Sequence, residues 1–494
     1  MTNRWMPRLA IVAGALGALL LSCGGNGTST AAAYANKCAA PRLGVDTKGS
    51  VTDEKIWLRL WTDDLYLWYR EVPNADPGAY RTPQDYFGVL KTTAVTSSGN
   101  PKDRFHFLIP TAEWEALSQA GVEVGYGGIQ WVVVAPRPPR EVRAAYIDPG
   151  AATQANIARG AKVLAVDGVD VTNGSDVATL NAGLFPAAAS QNHIFSILDV
   201  GATTPRTVTL TSATVTTTPV QNGQPIPGTT VGYILFTDHN APSETMLIDA
   251  VKKLQQAQPP ITDLVLDIRY NGGGYLAIAS ELAYMIAGPA ATAGKTFEVL
   301  SFNDKYPNID PVAGQPLRPT PFVATAQNLS AGRQALPSLG LSRVFVLTGP
   351  GTCSASESII NGLRGIDVQV IQIGSQTCGK PYGFYPADNC GTTYFSIQFK
   401  GVNAKGFGDY PDGFVPNGSG GAGVTGCQVA DDFAHALGDP AEARLAAALG
   451  YAAGRPCPAP TGAQAPPRTA LADPERSREL VARPPWREIR IMGR

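Results

Sequence analysis

The pattern of apolar and polar positions changes character several times along the chain, and each stretch predicts a different kind of element. An uncharged apolar run over residues 9–21 follows Arg4 and Arg8. It is shorter than the ~20 residues that span a bilayer as a helix, and its charged-then-apolar profile predicts an export signal over 1–22. Residues 24–33 are small and polar and predict a flexible tether, which the reading extends over 23–50. Thr52 is a candidate helix cap, with Asp53 and Glu54 in the first turn, and Trp57, Trp61, Leu65 and Trp68 then recur at spacings of four and three. That spacing gives one apolar stripe on a packed helix, within a helical region over 51–120. From 121 to 217 short β-type runs (129–134, 162–166 and 207–210) alternate with Gly, Pro and Asn. Residues 221–230 are rich in Gly, Pro and Asn and predict a linker. Beyond them, strands at 231–236, 263–268, 343–347 and 368–373 alternate with helices at 243–256, 276–286 and 356–363. Such alternation predicts an α/β layer with parallel strands over 218–450. A Pro-rich, charged tail over 451–494, carrying Arg476, Arg487 and Arg490, predicts no packed structure. The fold class is therefore mixed α/β and multidomain.

Composition narrows the chemistry. A chain of 494 residues exceeds one ordinary core. The net charge of −1, with no basic stripe interleaved with aromatics, argues against a nucleic-acid partner. Setting Cys23 aside leaves six cysteines in a chain that reads as exported, which suits an oxidising compartment. Six allow many connectivities, and the Cys378–Cys390 spacing permits a local bridge. With no CxxC, no HExxH and four scattered histidines, a zinc site is not expected, and neither is an organic cofactor.

Three segments carry candidate chemistry. Leu266-Asp267-Ile268-Arg269-Tyr270-Asn271-Gly272-Gly273-Gly274 is an apolar strand running into a glycine turn and a helix. The glycines leave backbone N–H groups open to an oxyanion. A phosphate site is the natural rival, but the spaced glycines and Lys-Ser/Thr of a P-loop are missing. The second, Thr348-Gly349-Pro350-Gly351-Thr352-Cys353-Ser354-Ala355-Ser356-Glu357, places a serine at a strand-to-helix turn, where the helix N-terminus favours negative charge. A Ser-rich helix cap is its plainer reading. The third, Gly374-Ser375-Gln376-Thr377-Cys378-Gly379-Lys380, puts one lysine at a glycine turn; a lysine acts as a base only where its surroundings favour the neutral amine.

In this order the three segments resemble the C-terminal-processing (tail-specific) proteases, peptidase family S41, and the resemblance extends to Asp103-Arg104-Phe105 and Asp409-Tyr410-Pro411-Asp412-Gly413. It implies a ClpP/crotonase-like protease core in which Ser354 is the nucleophile and Lys380 the general base. The N–H groups of Gly273 (or Gly272) and Ala355 would form the oxyanion hole. Many relatives carry glutamine four residues after the lysine; here Phe384 stands there, so no third catalytic residue is assigned. Cys353, beside the nucleophile, lacks an adjacent base, and the histidines lie outside the motifs. The stretch from Asp148-Pro149-Gly150 to Asp167-Gly168-Val169 resembles a PDZ domain. That implies capture of a peptide C-terminus by Gly127, Gly128 and Ile129, followed by strand addition. Leu20-Leu21-Ser22-Cys23-Gly24 resembles a bacterial lipoprotein cleavage box, which implies acylation of Cys23. With no acidic residue following, it implies a lipid anchor on the periplasmic side of the cell envelope, at the outer membrane. The reading is a secreted serine endopeptidase acting on proteins or peptides with free C-termini; the alternative is a catalytically inactive peptide-binding lipoprotein of the same fold.

Overall fold

The computed structural model describes residues 30–149, 154–459 and 490–491. Cys23 and the export signal lie outside the described residues. The expected tether does not hold from residue 30 onward. Lys37–Cys38 pairs with Thr47–Lys48, Asn36 N–H donates to Asn389 Oδ1 at 2.7 Å, and Cys38 is disulfide-bonded to Cys390. One covalent bond to a distant strand orders a segment that its composition alone would leave loose.

Ser50, rather than Thr52, caps the first helix, α1 (Val51–Leu65). Its Oγ accepts from Asp53 N–H while the Asp53 carboxylate accepts from Ser50 N–H at 2.8 Å, a reciprocal cap. Trp57 and Trp61 stack at 5.3 Å on the buried face, against Phe87 and Tyr394. Trp68 falls beyond the helix, and its ring meets Tyr382 edge-on at 4.9 Å. Phe107–Pro110 pairs with Thr392–Phe395 and leads into α2 (Thr111–Ala120), so the N-terminal region is stitched to the core.

Residues 122–216 form an antiparallel sheet in the order Arg206–Thr211, Asn192–Leu198, Lys162–Val166, Glu141–Ile147, Ile129–Ala135. Helix α3 (Val177–Leu184) packs Val177, Leu180 and Leu184 onto Ile129, Val163 and Phe195. Asp167 and Gly168, at φ 49° and 81°, make the tight turn expected there. Val122–Gly125 pairs with Ala213–Thr216, which brings the two ends of this unit together.

The expected linker is a strand. β1 (Val220–Pro225) pairs antiparallel with β2 (Val231–Phe236), and Asn222, at φ 54°, sits in the register shift between Gln221 and Gln224. Asn and Gly here serve a bulge at a sheet edge rather than a linker. The sheet continues in parallel through β3 (Asp263–Asp267), β4 (Arg343–Thr348), β5 (Gln369–Gly374) and β6 (Gly426–Gln428). Helices α4 (Ser243–Gln255), α5 (Leu276–Thr292) and α6 (Ala355–Gly365) cover one face, and α7 (Ala443–Ala452) covers the other. Burial on both faces explains why these strands read as near-continuous apolar runs. α5 outlasts its expected end because the chain breaks at Gly288, φ 75°, and resumes at Pro289.

The disulfides are Cys38–Cys390, Cys353–Cys378 and Cys427–Cys457, so the local Cys378–Cys390 bridge does not form. The tail expectation also fails at one place: Arg490–Ile491 is a short strand paired with Gly274–Tyr275.

Candidate active site

β4 ends at Thr348, and the turn that follows is fastened to the end of β3. Thr352 Oγ1 donates to Ile268 O at 2.8 Å and accepts from Gly349 N–H. Cys353 N–H and Ser356 Oγ both donate to Asn271 O, at 3.0 and 3.1 Å. Ser354, between them, takes φ 62°, ψ −115°, a conformation that side-chain-bearing residues keep only where their surroundings force it. It stands immediately before α6; its Oγ is buried and has no hydrogen-bond partner among the described residues.

Glu357, in the first turn of α6, joins this serine to the lysine segment. Its Oε2 accepts from Ser354 N–H at 2.9 Å and from Lys380 N–H at 2.8 Å. Its Oε1 accepts from Gly379 N–H at 2.8 Å and Thr377 Oγ1 at 2.5 Å. Burial pushes the carboxyl above its usual range, and these donors oppose the rise. The Cys353–Cys378 disulfide spans the same two segments. The sulfurs of Cys353 and Cys378 and the Glu357 carboxylate lie within 4.8 Å of one another, but the sulfurs are bonded together and offer no thiolate ligands. In the sequence Glu357 stands only as the end of the serine motif; an acid three residues after a serine at a helix N-cap position is the signal that marks it.

Lys380 is wholly buried. Its Nζ lies 4.1 Å from the centre of the Phe384 ring and 4.7 Å from that of Phe105. Phe105 is held there by its neighbours. Arg104 Nη2 donates to Cys378 O, and Asp103 accepts from Tyr66 Oη at 2.7 Å and from Phe105 N–H at 3.0 Å. Gly379 sits where an added Cβ would come 2.4 Å from Pro411 O, so the Asp409 to Gly413 turn borders the lysine as expected.

The glycine turn is organised by Asn271. Its Nδ2 donates to Phe236 O at 3.0 Å, and its Oδ1 accepts from Gly273 N–H and His239 Nδ1, both at 2.9 Å. The Gly273 N–H is thus committed, whereas Gly272 and Ala355 N–H have no acceptor among the described residues. Gly274 must be glycine, since a Cβ would stand 2.6 Å from His239 O. The sequence reading set all histidines outside the motifs, yet His239 lies against this turn. Burial lowers its pKa to about 3, so it is neutral, with Nε2 unpartnered among the described residues. Its place just beyond the C-terminal end of a parallel strand was the available signal.

Gly127, Gly128 and Ile129 lie on a different sheet from these groups. Gly127 and Gly128 take φ 55° and 80°, and Tyr126 Oη ties the loop to α3 through Gly183 O at 2.5 Å. Ile129 N–H donates within the loop to Tyr126 O, and Ile129–Ala135 is the end strand of its sheet, paired on one side only.

A strained serine, a buried lysine and a glycine turn at the C-terminal ends of parallel strands define a class, the α/β folds with a serine at a strand-to-helix turn. Residues 230–383 match the family model for Peptidase family S41, and residues 53–105 match that for the Peptidase S41 N-terminal domain. These two stretches of the chain are thus similar to the two domain models of that peptidase family. A crystal structure of a Bacteroides fragilis NCTC 9343 protein assigned to the S41 proteases is similar at 22% identity and TM-score 0.57, covering 81% of this chain and 97% of that one. This similarity establishes a shared fold. A photosystem II D1 C-terminal processing protease aligns at 20% identity and TM-score 0.41, over 74% of this chain and 92% of that one. No curated protein shows significant similarity to the chain.

Proposed function

We propose that the chain is a serine endopeptidase in which Ser354 is the nucleophile and Lys380 the general base. The observation that carries this reading is the meeting of both backbones on one oxygen of Glu357, with Ser354 Oγ unpartnered among the described residues and Lys380 wholly buried. In its neutral form Lys380 Nζ takes the Ser354 hydroxyl proton as Oγ bonds to the scissile carbonyl carbon. The carbonyl oxygen becomes an oxyanion, received by the N–H of Ala355 and one from the Gly272–Gly273 turn. The C–N bond then breaks, the lysine returns its proton to the leaving amine, and water attacks the acyl-enzyme by the same route. The sheet over 122–216 is read as a PDZ domain that takes up substrate C-termini along Ile129–Ala135.

A second reading, an inactive peptide-binding protein, is favoured by Phe384, which offers Lys380 a ring face in place of a hydrogen-bonding amide. Labelling with a serine-directed phosphonate separates the two. Parent protein should label at Ser354 and cleave unfolded peptides. Ser354→Ala, Lys380→Ala and Lys380→Arg should each lose more than about a thousandfold, the double variant being little worse than either single. The arginine fails because a guanidinium keeps its proton. An unlabelled, inert parent protein would establish the binding-only reading.

A further inference from the structure

Arg490–Ile491 is the last strand among the described residues. Its two residues are too few to hold a conformation by themselves, yet both are paired. On one side they run parallel to Gly274–Tyr275, the continuation of the Asn271-Gly272-Gly273 turn. On the other, Ile491 bridges to Phe384, the residue stacked on Lys380. The segment is thus flanked by backbone from the two stretches that carry the proposed chemistry. An extended peptide adding to exposed backbone edges takes this form. Ile491 is only 1% exposed and packs in one apolar cluster with Cys353, Cys378, Phe384, Phe105 and Trp114. Cys353 immediately precedes Ser354, so the apolar cluster that holds Ile491 extends to the residue before the serine.

We propose that Arg490–Ile491 of the chain itself occupies the substrate groove, with Ile491 in an apolar side-chain subsite between Tyr275 and Phe384, so that the protein is self-occluded and selects substrates bearing an aliphatic residue at that position. The proposal rests on the peptidase reading for its consequence, but the occupancy itself is independent of catalysis.

The test uses full-length protein. Ile491→Asp places a charge in an apolar pocket and should release the segment, raising the rate of phosphonate labelling at Ser354 about tenfold, while Ile491→Val stays near the parent rate. A peptide of residues 484–494 should slow labelling of the Ile491→Asp protein, and the same peptide carrying the Ile491→Asp change should not. Equal labelling of parent and Ile491→Asp overturns the proposal. So does slower labelling with a lowered melting temperature, which would make the strand a packing element only. If Ser354 never labels in any variant, the peptidase reading fails separately. Saturable binding of a fluorescent 484–494 peptide to the Ser354→Ala, Ile491→Asp protein would then still support occupancy, and absence of binding would overturn it.

Discussion

Two backbone N–H groups, those of Ser354 and Lys380, converge on Glu357 Oε2, and two further donors reach Oε1. A carboxylate is the side chain suited to this place, because it accepts at both oxygens and donates at neither. In Glu357→Gln the amide nitrogen would face two of these donors and leave them without an acceptor. Each buried orphan costs about 1–3 kcal/mol. The expected outcome is a fall in kcat of about a hundredfold or more with KM changed much less, since the pair is displaced while the groove is retained. Glu357→Asp, which keeps the charge on a shorter stem, should recover part of the loss. Steady-state kinetics on an unfolded peptide would show whether kcat alone moves; a fall confined to melting temperature would mark Glu357 as structural only. The motif around Ser354 was legible in the sequence because strand, glycine turn and helix follow one another locally. Three of the acid's four donors were not, since they come from a loop some twenty residues away.

Among the elements, the strand Ile129–Ala135 shows how far pattern reading carries. Its β-type run and the preceding glycines predicted a strand after a Gly-rich loop, and the loop has both glycines at positive φ. What pattern could not show is that Ile129 N–H is spent within the loop on Tyr126 O. If this edge takes up substrate C-termini, the loop must yield that N–H or use the ones beside it. A peptide with a free carboxylate should therefore bind the full-length Ser354→Ala protein at least about tenfold more tightly than its C-terminal amide, with the difference shrinking at high salt. Fluorescence anisotropy measures both, and equal affinities would remove the carboxylate from the recognition mode. The opposite lesson comes from β1. Its Gly, Pro and Asn content predicted a linker, but an edge strand beside fully buried β2 tolerates a bulge, and tertiary pairing overrides local propensity.

At the scale of the molecule, charged side chains join the 122–216 unit to the core. Arg159 donates to Asp431 Oδ1 and Tyr270 Oη, at 2.8 and 2.7 Å, and Arg269, also bonded to Asp267 and Glu442, reaches the same Asp431 oxygen. Burial would raise the Asp431 carboxyl, but Arg444, Arg269 and Arg159 outweigh it and hold it well below the usual range. Asp148, at the same junction, behaves in the opposite way. It accepts from Gln221 Nε2 and Thr218 N–H at 3.1 and 3.2 Å but faces no cation among these partners, and burial pushes its pKa up to about 6. The folded protein thus holds this proton more tightly than the unfolded chain. Its favourable contribution is complete below about pH 4 and is lost as pH rises through 6. Above that the ionised group costs up to about 3 kcal/mol. Asp148→Asn should raise the melting temperature at pH 7.5 by a few degrees and leave it nearly unchanged at pH 4. A melting temperature that falls equally at both values would show that the carboxylate's acceptor geometry, and not its charge, matters.

The sequence by itself determined the alternation of strands and helices, the glycine positions that need positive φ, and the serine and lysine at turns beyond apolar strands. These are consequences of neighbours a few residues apart, so a linear reading reaches them. Only the tertiary structure decided which cysteines pair, that residues 37–38 are pinned to Cys390, that His239 lies against the glycine turn, and that Ile491 lies between Gly274–Tyr275 and Phe384. Each of these depends on contacts between segments distant along the chain. Their strength lies in burial and geometry that no local pattern encodes.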